Sequence, residues 1–243
     1  MRADSIKEGY GANCLVPFNG LWYNIKATCM EGGMIPVRRN GFFAMLSRMK
    51  HITRWGLMRN TMRESLSEHS FDTAMVAHAL AVIGKEEFGR DVDPGQIAAA
   101  ALFHDASEIL TGDMPTPVKY NNPEIKNAFH SVERAARGSL LSMLPPKLRP
   151  PYETLFSFDT EKPEFYAYVK AADKISGYTK CLEEQRSGNR EFDEAARQLY
   201  EAICAMRLPE ADYFLRQFVP PYGLTLDELQ AEENQGGENC DHQ

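Results

Sequence analysis

His104 and Asp105 stand side by side at the end of an apolar run, Ile97-Ala98-Ala99-Ala100-Ala101-Leu102-Phe103, and Glu108 follows four residues after the histidine. Charge is costly to bury without compensation. An imidazole and two carboxylates in such a setting either satisfy one another or hold something else. The run is rich in alanine and leucine and reads as helix. On a helix, positions 104, 105 and 108 reach one side, where their side chains make a divalent-metal site. The alternative at this point is a core histidine bonded to its neighbouring aspartate.

A metal site needs ligands from more than one helix. Ser67-Glu68-His69-Ser70 opens a second one, capped by Ser65 or Ser67. His69 and His78 are nine residues apart, which at about 100° per residue places them on opposite faces, so one of the two joins the site. His69, next to Glu68 and near Arg59 and Arg63, sits at a polar helix mouth; His78 is expected to be a packing residue. Asp173 interrupts the apolar face of Tyr166-Ala167-Tyr168-Val169-Lys170-Ala171-Ala172. An aspartate there either pairs with Lys170 or coordinates a metal.

The elements that must position these residues read as helices throughout. Three- and four-residue apolar steps run from Gly41 to Ile52, from Ser67 to about Ile83, and over 123–144, where Ile125, Phe129, Val132, Ala136, Leu140 and Leu144 form the stripe. Asp93-Pro94 supplies a cap and a first-turn proline for the central helix. Further helices are expected at 163–187, 191–206 and 209–218, with a last turn at Leu226. The loop Thr111–Lys119, stiffened by Pro115 and Pro117, follows the metal helix directly and is placed to wall a pocket. No stretch alternates long enough to establish a strand. Leu21-Trp22-Tyr23-Asn24-Ile25 comes nearest, with no evident partner. The expectation is all-α: one domain over 41–229, a poorly ordered segment over 1–40 with Met34 as an alternative start, and a disordered acidic tail over 230–243.

Composition narrows the function classes. With 243 residues, 43% hydrophobic and 25% charged, the chain can bury a full core. A net charge of −7 argues against a partner made of polymeric nucleic acid. It leaves room for a small phosphorylated substrate held by a local cluster, for which Lys119, Arg59 and Arg63 are basic candidates. The five cysteines, at 14, 29, 181, 204 and 240, show no Cys-x-x-Cys spacing. That pattern suggests a reducing cytoplasm, with neither a disulfide framework nor a thiolate zinc site. No apolar run approaches the roughly 18 residues of a membrane span.

The order His69, His104-Asp105, Asp173 resembles that of the HD-domain metal-dependent phosphohydrolases, which are all-helical bundles. Five words in order sharpen the likeness: Arg54-Trp55, Ser67-Glu68-His69-Ser70, His104-Asp105-Ala106-Ser107-Glu108, the stretch from Thr111-Gly112-Asp113-Met114-Pro115-Thr116 to Tyr120, and Lys170-Ala171-Ala172-Asp173. Together they are similar to the bacterial 5′-deoxynucleotidases of the YfbR type, from about Gly41 to about Leu229. The resemblance implies a metal held by His69, His104, Asp105 and Asp173, and hydrolysis of deoxyribonucleoside 5′-monophosphates to deoxynucleoside and phosphate.

Two imidazoles and two carboxylates suit Co²⁺ or Mn²⁺ best, then Fe²⁺, with Zn²⁺ and Mg²⁺ less favoured. On this pattern Glu108 orients or deprotonates the attacking water, and Asp113 protonates the leaving 5′-oxygen. Arg54 clamps the phosphate with a planar fork of donors. Trp55 packs on the sugar and disfavours a 2′-hydroxyl; Asp105, Asp113, Met114, Pro115 and Thr116 lie along the nucleotide. The resemblance also suggests a homodimer. The competing expectations are another HD-type hydrolase, acting on deoxynucleoside triphosphates or on cyclic or alarmone nucleotides, and a nucleotide-binding regulatory module without hydrolysis.

Overall fold

A computed structural model of the chain describes residues 13–18, 21–26, 40–119 and 122–237. The chain divides into two compact units, 1–39 and 40–243. In the first, β1 (Asn13–Phe18) pairs antiparallel with β2 (Leu21–Lys26), with Asn13 opposite Lys26 and Phe18 opposite Leu21. The strand-like Leu21–Ile25 therefore has a partner in Asn13–Phe18. The sequence signal for it is Asn19-Gly20, a dipeptide favoured in two-residue hairpin connections. The rest of 1–39, Met34 included, lies outside the described residues.

The second unit is helical. A short α1 (Phe42–Leu46) tightens into a 3₁₀ turn over Ser47–His51, where a single amphipathic helix was expected. The long α2 (Leu66–Phe88) begins with a reciprocal cap: Glu68 N–H donates to Ser65 Oγ at 3.3 Å, and Ser65 N–H donates to Glu68 Oε2 at 2.7 Å. It ends at Gly89, whose φ of 61° suits glycine. Asp93 caps α3 (Pro94–Phe103) by accepting from Gln96 N–H at 3.1 Å, with Pro94 in the first turn as expected.

Beyond α3 the single helix expected through Glu108 does not continue. His104 to Ser107 form a run of turns, and Glu108 starts a new short helix, α4 (Glu108–Thr111), followed by α5 (Thr116–Lys119). Then come α6 (Pro123–Ser142), α7 (Arg149–Phe156), α8 (Phe158–Glu161) and the long α9 (Pro163–Arg186). A further three, α10 (Asp193–Ala205), α11 (Pro209–Gln217) and α12 (Leu226–Gly237), complete the unit. The stretch after 229 expected to be disordered is thus helical as far as Gly237; residues 238–243 lie outside the described residues.

The core forms where α2, α3 and α9 pack together. Small residues line the contact: Ala74, Ala77 and Ala81 from α2, Ala100 and Ala101 from α3, Ala171 and Ala172 from α9. Larger Leu80, Ile97, Ile175 and Ile203 fill between them. Alanine faces let helix backbones approach closely, and that approach brings the start of α2, the turns after α3 and the middle of α9 to one place. Gly84 marks another tight point, since a Cβ there would lie 2.9 Å from the Tyr168 hydroxyl and 3.2 Å from Glu210 Oε1. Two satellite clusters surround this core. Phe42, Ala106, Leu140 and Phe156 anchor the turns after α3, while Cys181, Phe192 and Ala196 pack with Trp55. Among the described residues no helix is long and apolar enough to cross a membrane.

Candidate metal centre

His69 lies one turn into α2, fully buried. His104 and Asp105 occupy the turns after α3, and Asp173 lies mid-way along α9. One donor atom from each of the four falls within 4.8 Å of the others. At bonds of ~2.0–2.2 Å, two ligands of one ion lie roughly 3 Å apart when adjacent and up to ~4.4 Å when opposite, so the four donors are grouped on the scale of one coordination sphere and draw inward to close on a cation. His69 Nε2 is 3.1 Å from Asp173 Oδ1 and 3.7 Å from Asp105 Oδ2; His104 Nε2 is 3.1 Å from Asp105 Oδ2 and 3.9 Å from Asp173 Oδ1.

The orientation of both rings fits ligation. His104 Nδ1 lies 2.7 Å from the Ala101 carbonyl, an acceptor, so Nδ1 carries the proton and Nε2 is left with its lone pair. That Nε2 is buried and has no hydrogen-bond partner despite its nearness to Asp105. Adjacent side chains that aim at a common point and not at each other are what a shared cation requires. On the other histidine, Ser176 Oγ sits 3.1 Å from Nδ1 and Glu64 Oε1 4.0 Å from it, which directs Nε2 into the centre. Asp173 Oδ1 accepts a hydrogen bond from His69 Nε2; Lys170, the alternative partner, lies with Nζ over the Tyr166 ring, 5.0 Å from the centroid.

The electrostatics follow from two negative and two titratable groups in one place. Burial opposes charge on His104, but Asp105 outweighs it and raises the imidazole to about 9. Without a cation Nε2 is therefore protonated at neutral pH, and its lone pair becomes free for ligation as a bound ion displaces that proton. Burial also opposes ionisation of Asp173, and the hydrogen bond from His69 overcomes it, holding the carboxyl down at about 2. Asp105 is lowered further against the same desolvation, by His104 and then His69. Burial, followed by the charges of Asp105 and Asp113, pushes Glu108 up to about 9. Its Oε2 is buried without a hydrogen-bond partner.

Arg54 and Trp55 stand beside this centre. An isolated bridge between Thr53 and Ser65, with Arg54 N–H donating to the Glu64 carbonyl at 3.0 Å, ties their segment to the start of α2. Arg54 is largely buried and feels Glu64, Asp173, Asp105 and Asp113, which together raise its already high pKa against desolvation. Its Nε is a buried donor with no partner. Trp55 adopts φ 59°, a left-handed backbone that a bulky residue holds only under constraint. Asp113 is half-buried after Gly112 and acts electrostatically on both Glu108 and Arg54. Met114 and Pro115 follow it, half-buried; the Thr116 and Pro117 side chains are outside what the structure describes.

Other expectations fare differently. His78 is exposed on α2, not packed. Lys119 binds Glu133 Oε1 at 2.9 Å, and Arg59 is exposed, 3.9 Å from Glu191. The sequence reading passed over Glu64 and Ser176. Ser176 stands three residues after Asp173, a helical spacing that would have found it; Glu64 is an acid just before a cap serine and carries no such mark.

A family model described as 5′-deoxynucleotidase YfbR-like matches residues 41–222. A 5′-deoxynucleotidase of Vibrio atlanticus is 46% identical over 193 residues, covering 79% of this chain and 100% of that protein. Among solved structures, an HD-domain phosphohydrolase from Listeria innocua superposes with a TM-score of 0.66 at 24% identity, over 80% of this chain and 97% of that one. The cyanophage S-2L HD phosphohydrolase bound to dA and one catalytic Zn²⁺ ion has a TM-score of 0.50 at 20% identity, covering 73% and 95%. Helical architecture, paired His-Asp donors and sequence likeness over most of the chain agree: this chain belongs to the YfbR-like 5′-deoxynucleotidase family.

Proposed function

We propose that the protein hydrolyses deoxyribonucleoside 5′-monophosphates to deoxynucleoside and inorganic phosphate, using a divalent ion held by His69, His104, Asp105 and Asp173. The observation that carries this reading is the convergence of those four donors beside a buried carboxyl, Glu108, and a buried guanidinium, Arg54. A bound divalent ion supplies Lewis acidity, neutralising charge on phosphoryl oxygens and acidifying water. Co²⁺ or Mn²⁺ suits the nitrogen/oxygen donors best. Arg54 offers the phosphate oxygens its unpartnered Nε and the guanidinium hydrogens that Glu64 does not hold. Glu108 orients the attacking water and takes its proton as the new P–O bond forms. Asp113 delivers a proton to the 5′-oxygen as the P–O5′ bond breaks. Trp55 walls the sugar against a 2′-hydroxyl, and Met114, Pro115 and Thr116 run along the nucleotide.

The test is a nucleotide panel: 5′-dNMP, 5′-NMP, 3′-dNMP and dNTP, each with Co²⁺, Mn²⁺, Zn²⁺ or Mg²⁺. Phosphate release is expected from 5′-dNMP at least about tenfold faster than from 5′-NMP, a preference of ~1.4 kcal/mol. Pyrophosphate or triphosphate release from dNTP, or nucleotide binding with no turnover under any ion, would sink the proposal.

Two further features belong to it. Free thiols at Cys181 and Cys204 suit a reducing cytoplasm. On the outer face of α2, Phe71, Met75 and Val82 are 57%, 51% and 37% exposed at helical spacing, an apolar stripe that a second copy of the chain would cover. Sedimentation at micromolar concentration is then expected to give twice the mass of one chain, and Met75→Glu to give one; a wild-type monomer overturns the dimer.

A further inference from the structure

Glu64 is 7% exposed and sits immediately before the cap of α2. Its Oε2 accepts from the Trp55 indole N–H at 2.8 Å and from Arg54 Nη1 at 3.4 Å. Its other oxygen faces His69 Nδ1 at 4.0 Å. A buried carboxylate is costly unless it is paired; Oε2 is hydrogen-bonded to the two residues assigned to phosphate and sugar, and Oε1 lies at the limit of ion-pair distance from one assigned to the metal.

Trp55 needs such a partner. Its backbone is held in the left-handed region, at φ 59°. The ring is hemmed by Phe192, 5.4 Å away edge-on, and by the bare backbone of Gly177, where a Cβ would lie 3.8 Å from Cζ2. These contacts limit where the ring lies, and the indole N–H to Glu64 fixes its rotation. The Arg54 guanidinium, 5.9 Å above the same ring, is held between that ring and that carboxylate.

We propose that Glu64 is a positioning residue for substrate recognition, setting the phosphate clamp Arg54 and the sugar wall Trp55 in register with the metal ligand His69 through one buried carboxylate. The proposal rests on the deoxynucleotidase reading of the site. Glu64 touches neither substrate nor ion; it acts through its three neighbours.

Glu64→Gln tests this with little change of volume, since the amide keeps an acceptor for the indole but loses the charge facing Arg54. Losing a charge-assisted hydrogen bond to the clamp is expected to raise KM for 5′-dNMP about tenfold, with kcat much less affected. Glu64→Ala is expected to add a fall in the ratio of 5′-dNMP to 5′-NMP turnover, as the indole loses its anchor. Bound metal per chain should stay at the wild-type level in both. A readout independent of turnover is the indole ¹H–¹⁵N signal of Trp55 in metal-free protein. The chain has two tryptophans, Trp22 and Trp55, so Trp22→Phe identifies it. That signal is expected to move in both variants, further in Glu64→Ala.

Wild-type KM and sugar preference in both variants would overturn the proposal. So would a collapse of kcat with loss of metal at unchanged KM, which makes Glu64 a support for His69 alone, and so would failure of Glu64→Gln to fold. A wild type inert toward every nucleotide overturns the hydrolase reading separately. Glu64 is then judged by the indole signal and by 5′-dNMP binding, where unchanged affinity in Glu64→Gln overturns its role.

Discussion

Asp105→Ala is expected to lose both the metal and turnover, and to do so without unfolding the protein. The residue sits in a run of turns with its side chain 24% exposed, so truncation opens no cavity in the alanine-lined core. Its Oδ2 is the atom that reaches both histidines, at 3.1 Å from His104 Nε2 and 3.7 Å from His69 Nε2. Without it the remaining donors are two neutral-capable imidazoles and Asp173, one negative charge in place of two. Outer-shell changes already weaken metal sites by 10–100-fold, and removal of a charged ligand is expected to exceed the upper end of that range. The ion's stabilisation of transition-state charge is worth several kcal/mol, and ~4 kcal/mol is roughly 10³ in rate. Metal content by mass spectrometry, kcat on 5′-dNMP and far-UV circular dichroism, measured together, check the three parts. A well-folded Asp105→Ala that keeps one ion per chain and turns over within tenfold of wild type refutes the shared coordination sphere.

Much of this centre is legible in the chain because metal donors are polar groups in apolar surroundings, and such groups are conspicuous. His104-Asp105 closes an alanine run, and Asp173 interrupts a helix face. The helix spans follow from periodicity and caps, as Asp93-Pro94 and Ser65 with Glu68 illustrate. What periodicity could not supply is the break after Phe103. No glycine or proline stands at 104–107, so nothing local forbids a continuous helix there. Tertiary packing imposes the break: Ala106 is buried among Phe42, Leu140 and Phe156, which draws the chain off the axis of α3 and turns His104 and Asp105 toward α2 and α9. The hairpin of β1 and β2 was missed for a different reason, a turn dipeptide left unread between two short apolar runs. Glu64 was invisible because its partners are nine and ten residues away, across an isolated bridge that no pattern announces.

Glu108 is three residues beyond Asp105, yet its expected phenotype is different, because its job is a proton and not a ligand. Only 6% of the residue is exposed, and it starts α4 with its N–H bonded to the Asp105 carbonyl at 2.9 Å. Burial, then Asp105, then Asp113 hold its carboxyl at about 9, so without a cation it keeps its proton at neutral pH. A divalent ion on Asp105 offsets the second of those causes and favours the carboxylate that a base must be. The direction of the pH dependence follows. A base works deprotonated, so kcat/KM rises with pH through the pKa of Glu108, and residual burial keeps that midpoint above the ordinary glutamate value of 4.5 and below about 9. Glu108→Gln is expected to lower kcat by roughly 10²–10⁴, the span of general acid–base contributions, while binding the same amount of metal as wild type. The acidic limb of its profile should flatten, since the amide does not titrate. The volume is conserved and the buried Oε2 had no partner to lose, so folding is expected to survive. Near-normal rates, or an unchanged acidic limb at reduced rate, would take the proton-transfer role away from Glu108 and leave another group to be found for it.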